Sequence, residues 1–141
     1  MTFPSQPEQL TTNWLSKALN RPVDDFRVEL FGAGAGIIGQ VTRAHLNTPT
    51  GAETIIAKFP SPSPDNRAVA ATYDMYGREV GFYRDVASSV SLRVPDCYHS
   101  AYNASSLDFI ILMEDLVAMQ ASFGSNGEAL SIDQAAVVLD D

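Results

Sequence analysis

One cysteine, two histidines and two lysines stand in 141 residues. Cys97 alone can form neither an internal disulfide nor a cysteine-based zinc site. His45 and His99 do not share a metal-ligand spacing. Lys17 and Lys58 join seven scattered arginines against 17 acidic side chains, a net charge of −8. A duplex-binding protein needs clustered cations to neutralise phosphates. Nucleic acid and anionic membrane are therefore set aside as partners. The opening MTFPSQPEQL has no basic stretch leading into an apolar one, so no secretory signal is read there. The longest apolar runs, such as Phe109–Met113, fall far short of the roughly 20 residues of a membrane helix. Together these absences make a cytoplasmic setting the expectation. What is present, 45% hydrophobic and 18% charged residues, is globular in composition and suits one domain over 1–141.

Hydrophobic periodicity orders the elements. Thr11 or Thr12 caps a helix over Thr12–Leu19, with Trp14, Leu15, Ala18 and Leu19 on one face. Phe26, Val28 and Leu30 alternate as a half-buried strand. After a glycine cluster at Gly32–Gly36 comes a strand over Gln40–Leu46, whose inward set is either Thr42, Ala44, Leu46 or Val41, Arg43, His45. Thr48–Gly51 turns the chain into a third strand, Thr54–Phe59. Pro60–Pro64 is a stiff loop. From Arg67 to Val90 the spacing of Tyr73, Tyr76, Val80, Tyr83 and Ala87 predicts one long helix, with Gly77 its weak point. Tyr98–Ala101 and Leu107–Met113 are two further strands, and 118–127 is loop-like. Ser131 and Gln134 form a capping box for a last helical segment. The expected class is α+β: a five-stranded antiparallel sheet with one long packed helix plus terminal helices. The last helix ends on Asp140 and Asp141, which oppose its dipole, and has no glycine or asparagine cap, so the chain is expected to be a piece of a larger protein.

Gly34-Ala35-Gly36-Ile37-Ile38-Gly39-Gln40-Val41 fits G-x-G-x-x-G-x-V. Glycines let backbone amides approach a polyphosphate without interference from Cβ. Alone, the motif equally describes a glycine-rich hairpin. A dinucleotide-binding unit requires a helix directly after Gly36. A P-loop requires Lys and Ser/Thr after Gly39, where Gln40 stands. A strand–glycine loop–strand suits the phosphate flap of kinase-like folds. That reading asks for a lysine on the third strand, and Ile55-Ile56-Ala57-Lys58 supplies one, unless it is an edge lysine reaching for water. It asks for a helical glutamate to pair with that lysine. Glu79 fits, with Asp74 and Asp85 as rivals. It also asks for a buried strand leading to a segment that meets adenine through its backbone, as Phe109–Met113 followed by Glu114, Asp115 and Leu116 would.

Taken with their order, the segments FGAGAGIIGQV, IIAKFPS, YGREVGFYRDVA, RVPDCYHS and FIILMEDL resemble the N-terminal lobe of kinase-like small-molecule phosphotransferases: the aminoglycoside phosphotransferase, choline kinase and ecdysteroid-kinase-like group. The resemblance runs from about Leu10 to the last helix. It implies a protein-kinase-like N-terminal lobe with ATP as phosphoryl donor. It places Gly34, Ala35, Gly36, Ile37, Ile38 and Gly39 over the phosphates with Val41 also in the nucleotide site, Lys58 on the α/β-phosphates with Glu79 as its partner, and Glu114, Asp115 and Leu116 at the adenine. It implies a small-molecule alcohol as acceptor. Catalytic residues and the ligands for Mg²⁺ belong to a C-terminal lobe opening on His-x-Asp, and neither His45 nor His99 has that aspartate. The expected function is the ATP-binding lobe of a kinase, not competent alone. The alternative is a non-catalytic module that binds a partner through its last helix.

Overall fold

The computed structural model describes residues 3–31, 38–121 and 131–140. It is a mixed α+β fold built on one five-stranded antiparallel sheet. Strands β1 (Asp25–Leu30), β2 (Gly39–Thr48) and β3 (Gly51–Pro60) form a meander, while β4 (Cys97–Asn103) and β5 (Asp108–Glu114) form a hairpin. The spatial order β1-β2-β3-β5-β4 puts β5 beside β3 and leaves β1 and β4 at the edges.

Both faces of the sheet are covered. On one lie Leu10, Val23 and Leu15, the last on helix α1 (Thr12–Ala18). They pack against Ala44, Leu46, Ile55, Ala57, Phe59, Ile110 and Leu112. Thr11 caps α1, its hydroxyl accepting from Trp14 N–H at 3.1 Å. This packing decides the inward set of β2: Thr42, Ala44 and Leu46 are buried here, and the Thr42 hydroxyl donates to the Ala57 carbonyl at 3.0 Å. Leu30, at the end of an edge strand, is 72% exposed and does not join Phe26 and Val28 against the core. On the other face Ile56, Phe109, Ile111 and Met113 meet Ala70, Tyr76 and Val80 from two helices. Covered on both sides, β5 has no polar alternation, which is why its run from Phe109 to Met113 is apolar throughout.

The expected single helix over 67–90 is instead broken. Helix α2 spans Pro64–Thr72, with Pro64 in its first turn where a missing N–H costs nothing. Asp74 then takes a left-handed conformation, φ 48°, which aspartate tolerates better than most residues. Helix α3 follows over Met75–Gly81, running into a π-turn at Phe82–Val86 and a 3₁₀ turn at Ala87–Ser89. The Tyr102 hydroxyl donates to the Asp74 carboxylate at 3.3 Å and so ties the break to β4.

Gly77 fills a close approach at this joint. A Cβ there would collide with the Asp74 carboxylate and stand 2.9 Å from Tyr102 Cε1. Gly77→Ala would gain about 1 kcal/mol in a free helix. Here it is expected to lose about 1 kcal/mol, because the carboxylate and the ring must both shift. Urea unfolding decides the sign.

The last helix, α4 (Ile132–Asp140), is capped as read: Ser131 N–H donates to Gln134 Oε1 at 2.9 Å, and Gln134 N–H donates to Ser131 Oγ at 3.1 Å. Ile132 and Val137 are exposed on it. Among the described residues no helix is long and apolar enough to cross a membrane.

Candidate functional site

Strand β3 alternates its side chains across the sheet. Ile55, Ala57 and Phe59 face α1, so Ile56 and Lys58 face the side covered by α2 and α3. Lys58 thus leaves the sheet beneath α3, where its ammonium donates to the Glu79 carboxylate. Each side chain keeps about a third or less of its surface exposed, 26% for Lys58 and 32% for Glu79. The two rivals for Lys58 are engaged elsewhere: Asp74 accepts from Tyr102, and Asp85 is bound by neighbouring Arg84.

A cleft of about 720 Å³ opens beside this pair. Ile38, just before β2, Gly39 and Val41 at its start, and Phe109 of β5 line it. Tyr73, Tyr76, Arg78 and Glu79 line it from the helical side. The Tyr76 ring lies against Phe109 with centroids 4.6 Å apart. Its hydroxyl donates to the Ile38 carbonyl at 2.5 Å and accepts from Ser61 N–H at 3.1 Å. One buried phenol therefore ties the start of β2 to the helix that carries Glu79. Strand structure from Gly39 onward also removes the dinucleotide-binding reading, which needs helix there.

Of the residues proposed from sequence, Ile38, Gly39, Val41, Lys58 and Glu79 meet in this cleft. Gly34, Ala35, Gly36 and Ile37 lie outside the described residues. Glu114, Asp115 and Leu116 are not part of its lining. Their side of the sheet is reached along β3, since Lys58 pairs with Ile111 and Ile55 with Glu114. Three residues of strand separate the two points by about 10 Å.

Both carboxylates of that segment are engaged within the protein. Arg93 donates to Glu114 at 2.6 and 2.7 Å, and Asp96 N–H adds a third contact at 3.2 Å. The Arg93 hydrogen bonds hold the Glu114 carboxyl below its ordinary range. Asp115 is 3% exposed. Arg43 Nε and Nη2 donate to its two oxygens at 2.7 and 3.2 Å, and the Thr54 hydroxyl donates at 2.8 Å. Burial pushes the Asp115 carboxyl up, but the bonds from Arg43 and Thr54 outweigh it and hold the pKa low. The Arg43 guanidinium also lies 4.4 Å from the Phe31 ring centroid. The side chains of Glu114 and Asp115 are thus engaged in structural contacts within the protein.

Tyr73, Tyr76 and Arg78 were not among the residues proposed from sequence. Tyr76 sits on the apolar stripe and reads as core. Tyr73 shares that stripe by spacing, but the break at Asp74 turns it out to 63% exposure. Arg78 carries no signal beyond its place next to Glu79. Among the described residues no cluster of three or more histidine, cysteine, aspartate or glutamate side chains could hold a metal ion. Comparison with protein-family models, curated proteins and solved structures finds no match to this chain.

Proposed function

We propose that the cleft at Lys58 binds the phosphate chain of ATP, and that the chain is the nucleotide-binding lobe of a kinase-like phosphotransferase acting on a small alcohol. The observation that carries this reading is the Lys58–Glu79 pair in one cleft with Ile38, Gly39 and Val41. An ammonium held by a carboxylate keeps its direction, which recognition of a diffuse polyanion requires. Tyr76 supports the reading by fixing the start of β2 to the same helix. The distance of about 10 Å along β3 from Lys58 to the Glu114 segment suits a nucleotide with phosphates at one end and base at the other. No His-x-Asp segment occurs in these 141 residues, so on this reading the groups that activate the acceptor and hold Mg²⁺ are not among them. A cytoplasmic setting, where ATP is abundant, goes with the proposal.

Calorimetric titration tests it. Mg-ATP is expected to bind more tightly than AMP, because most of the attraction falls on the outer phosphates. Equal affinity for the two, or none for either, would count against the proposal.

A second reading rests on α4, whose Ile132 and Val137 are 89% and 66% exposed. A non-catalytic module would use that helix on a protein partner and remain indifferent to nucleotide.

A further inference from the structure

The arginines of this chain divide into six and one. Six of the seven lie within 3.1 Å of a carboxylate oxygen. Arg78 makes no ion pair among the described residues, although acidic side chains outnumber basic ones 17 to 9. It is also the one arginine in the lining of the Lys58 cleft.

Charge makes that placement meaningful. Glu79 neutralises Lys58, so the pair alone offers a polyanion direction but no net attraction. A chain of net charge −8 repels polyanions from a distance. A phosphate chain therefore needs a second cation inside the cleft, and among the lining residues only Arg78 supplies it. Its guanidinium presents a planar fork of donors that matches phosphate oxygens. Arg78 and Glu79 share α3, and Tyr76 of that helix holds the start of β2, so the second cation is carried on the helix that carries the first one's partner.

We infer that Arg78 is a phosphate-binding residue of this cleft, and that its ligand carries at least two linked phosphates, one met by Lys58 and the next by Arg78. The inference rests on the polyphosphate reading of the cleft and adds to it a residue and a minimum length of anion.

The test is titration of the chain with Mg-ATP and, separately, with inorganic tripolyphosphate. Arg78→Gln is expected to weaken both by roughly tenfold or more, the loss of one charge-assisted contact. Arg78→Lys should recover part of the loss. Arg84→Gln removes the same charge from the neighbouring π-turn, where Arg84 pairs with Asp85, and should change neither affinity by more than about twofold. Arg78 is exposed, so melting temperatures should match across the set. Unchanged affinity in Arg78→Gln for both ligands, or an equal loss in Arg84→Gln, would overturn the inference. Arg78-dependent binding of tripolyphosphate without tighter binding of Mg-ATP would uphold it and sink the nucleotide reading. Binding of neither ligand by the parent chain would sink both.

Discussion

Asp115→Ala is expected to destabilise the fold by about 3 kcal/mol, the low end for removing one partner of a buried ion pair. The low end applies because Arg43 keeps 19% of its side-chain surface in water while Asp115 keeps 2%. The loss has three parts: the two Arg43 hydrogen bonds, the Thr54 bond, and the 3.1 Å contact by which Asp115 accepts from Val117 N–H. The pair joins residues 72 apart in sequence, so it fixes the segment after β5 to β2. Exchanging both members for apolar residues, Arg43→Met with Asp115→Leu, should recover most of the stability, because it removes the uncompensated charge. Urea unfolding of the parent and these two variants measures this.

The pH dependence follows from the same geometry. The carboxyl is held below its unfolded value of about 3.9. Above that value both states are ionised and the full contribution is present. As pH falls through the depressed folded pKa, the proton reaches Asp115 in the native state too and the contribution is gone. The stability gap between parent and Asp115→Ala is therefore expected to be flat above about pH 5 and to narrow in acid below about pH 4. A gap that widens in acid would contradict the assignment.

Lys58→Met is the second large effect, and it falls on binding. One charge-assisted contact to phosphate is worth about 1.5–3 kcal/mol, so Mg-ATP affinity should drop by roughly 10- to 100-fold. Stability should move by less than about 1 kcal/mol, since a partly exposed ion pair contributes little and methionine retains the apolar stem. Glu79→Gln should change affinity less than Lys58→Met, because losing the guide and losing the neutralising charge act in opposite directions. A loss of several kcal/mol in Lys58→Met without a change in affinity would make the lysine a structural residue.

Much of this arrangement is legible in the residues themselves. Strand runs and the Ser131 cap follow from local pattern, which also narrows the first cap to Thr11 or Thr12; the meeting of Lys58 with Glu79 is expected only from the kinase-like reading, with Asp74 and Asp85 as rivals. What is not legible depends on distant partners. The break at Asp74 looks like continuous helix, because Tyr73 and Tyr76 keep helical spacing across it. The left-handed residue is held by Tyr102, 28 positions away. The inward face of β2 is ambiguous by pattern, since threonine and alanine compete with valine, arginine and histidine. Leu10 and Leu15 settle it by covering one side. Asp115 reads as a surface acid after an apolar strand until Arg43 is brought to it. Gly77 looks like a helix defect until the Asp74 carboxylate and the Tyr102 ring are seen against it.

The central claim is that an ammonium steered by a helical carboxylate and the cleft it shares with Ile38, Gly39 and Val41 form one anion site. Amide chemical shifts recorded while Mg-ATP is added test it most directly. Shifts that saturate together at Gly39, Val41, Lys58 and Tyr76–Glu79, with α1 and β4 unmoved, are the expected result. Saturating shifts confined to the α1 side of the sheet, or none at Lys58 and α3 at millimolar nucleotide, would contradict it.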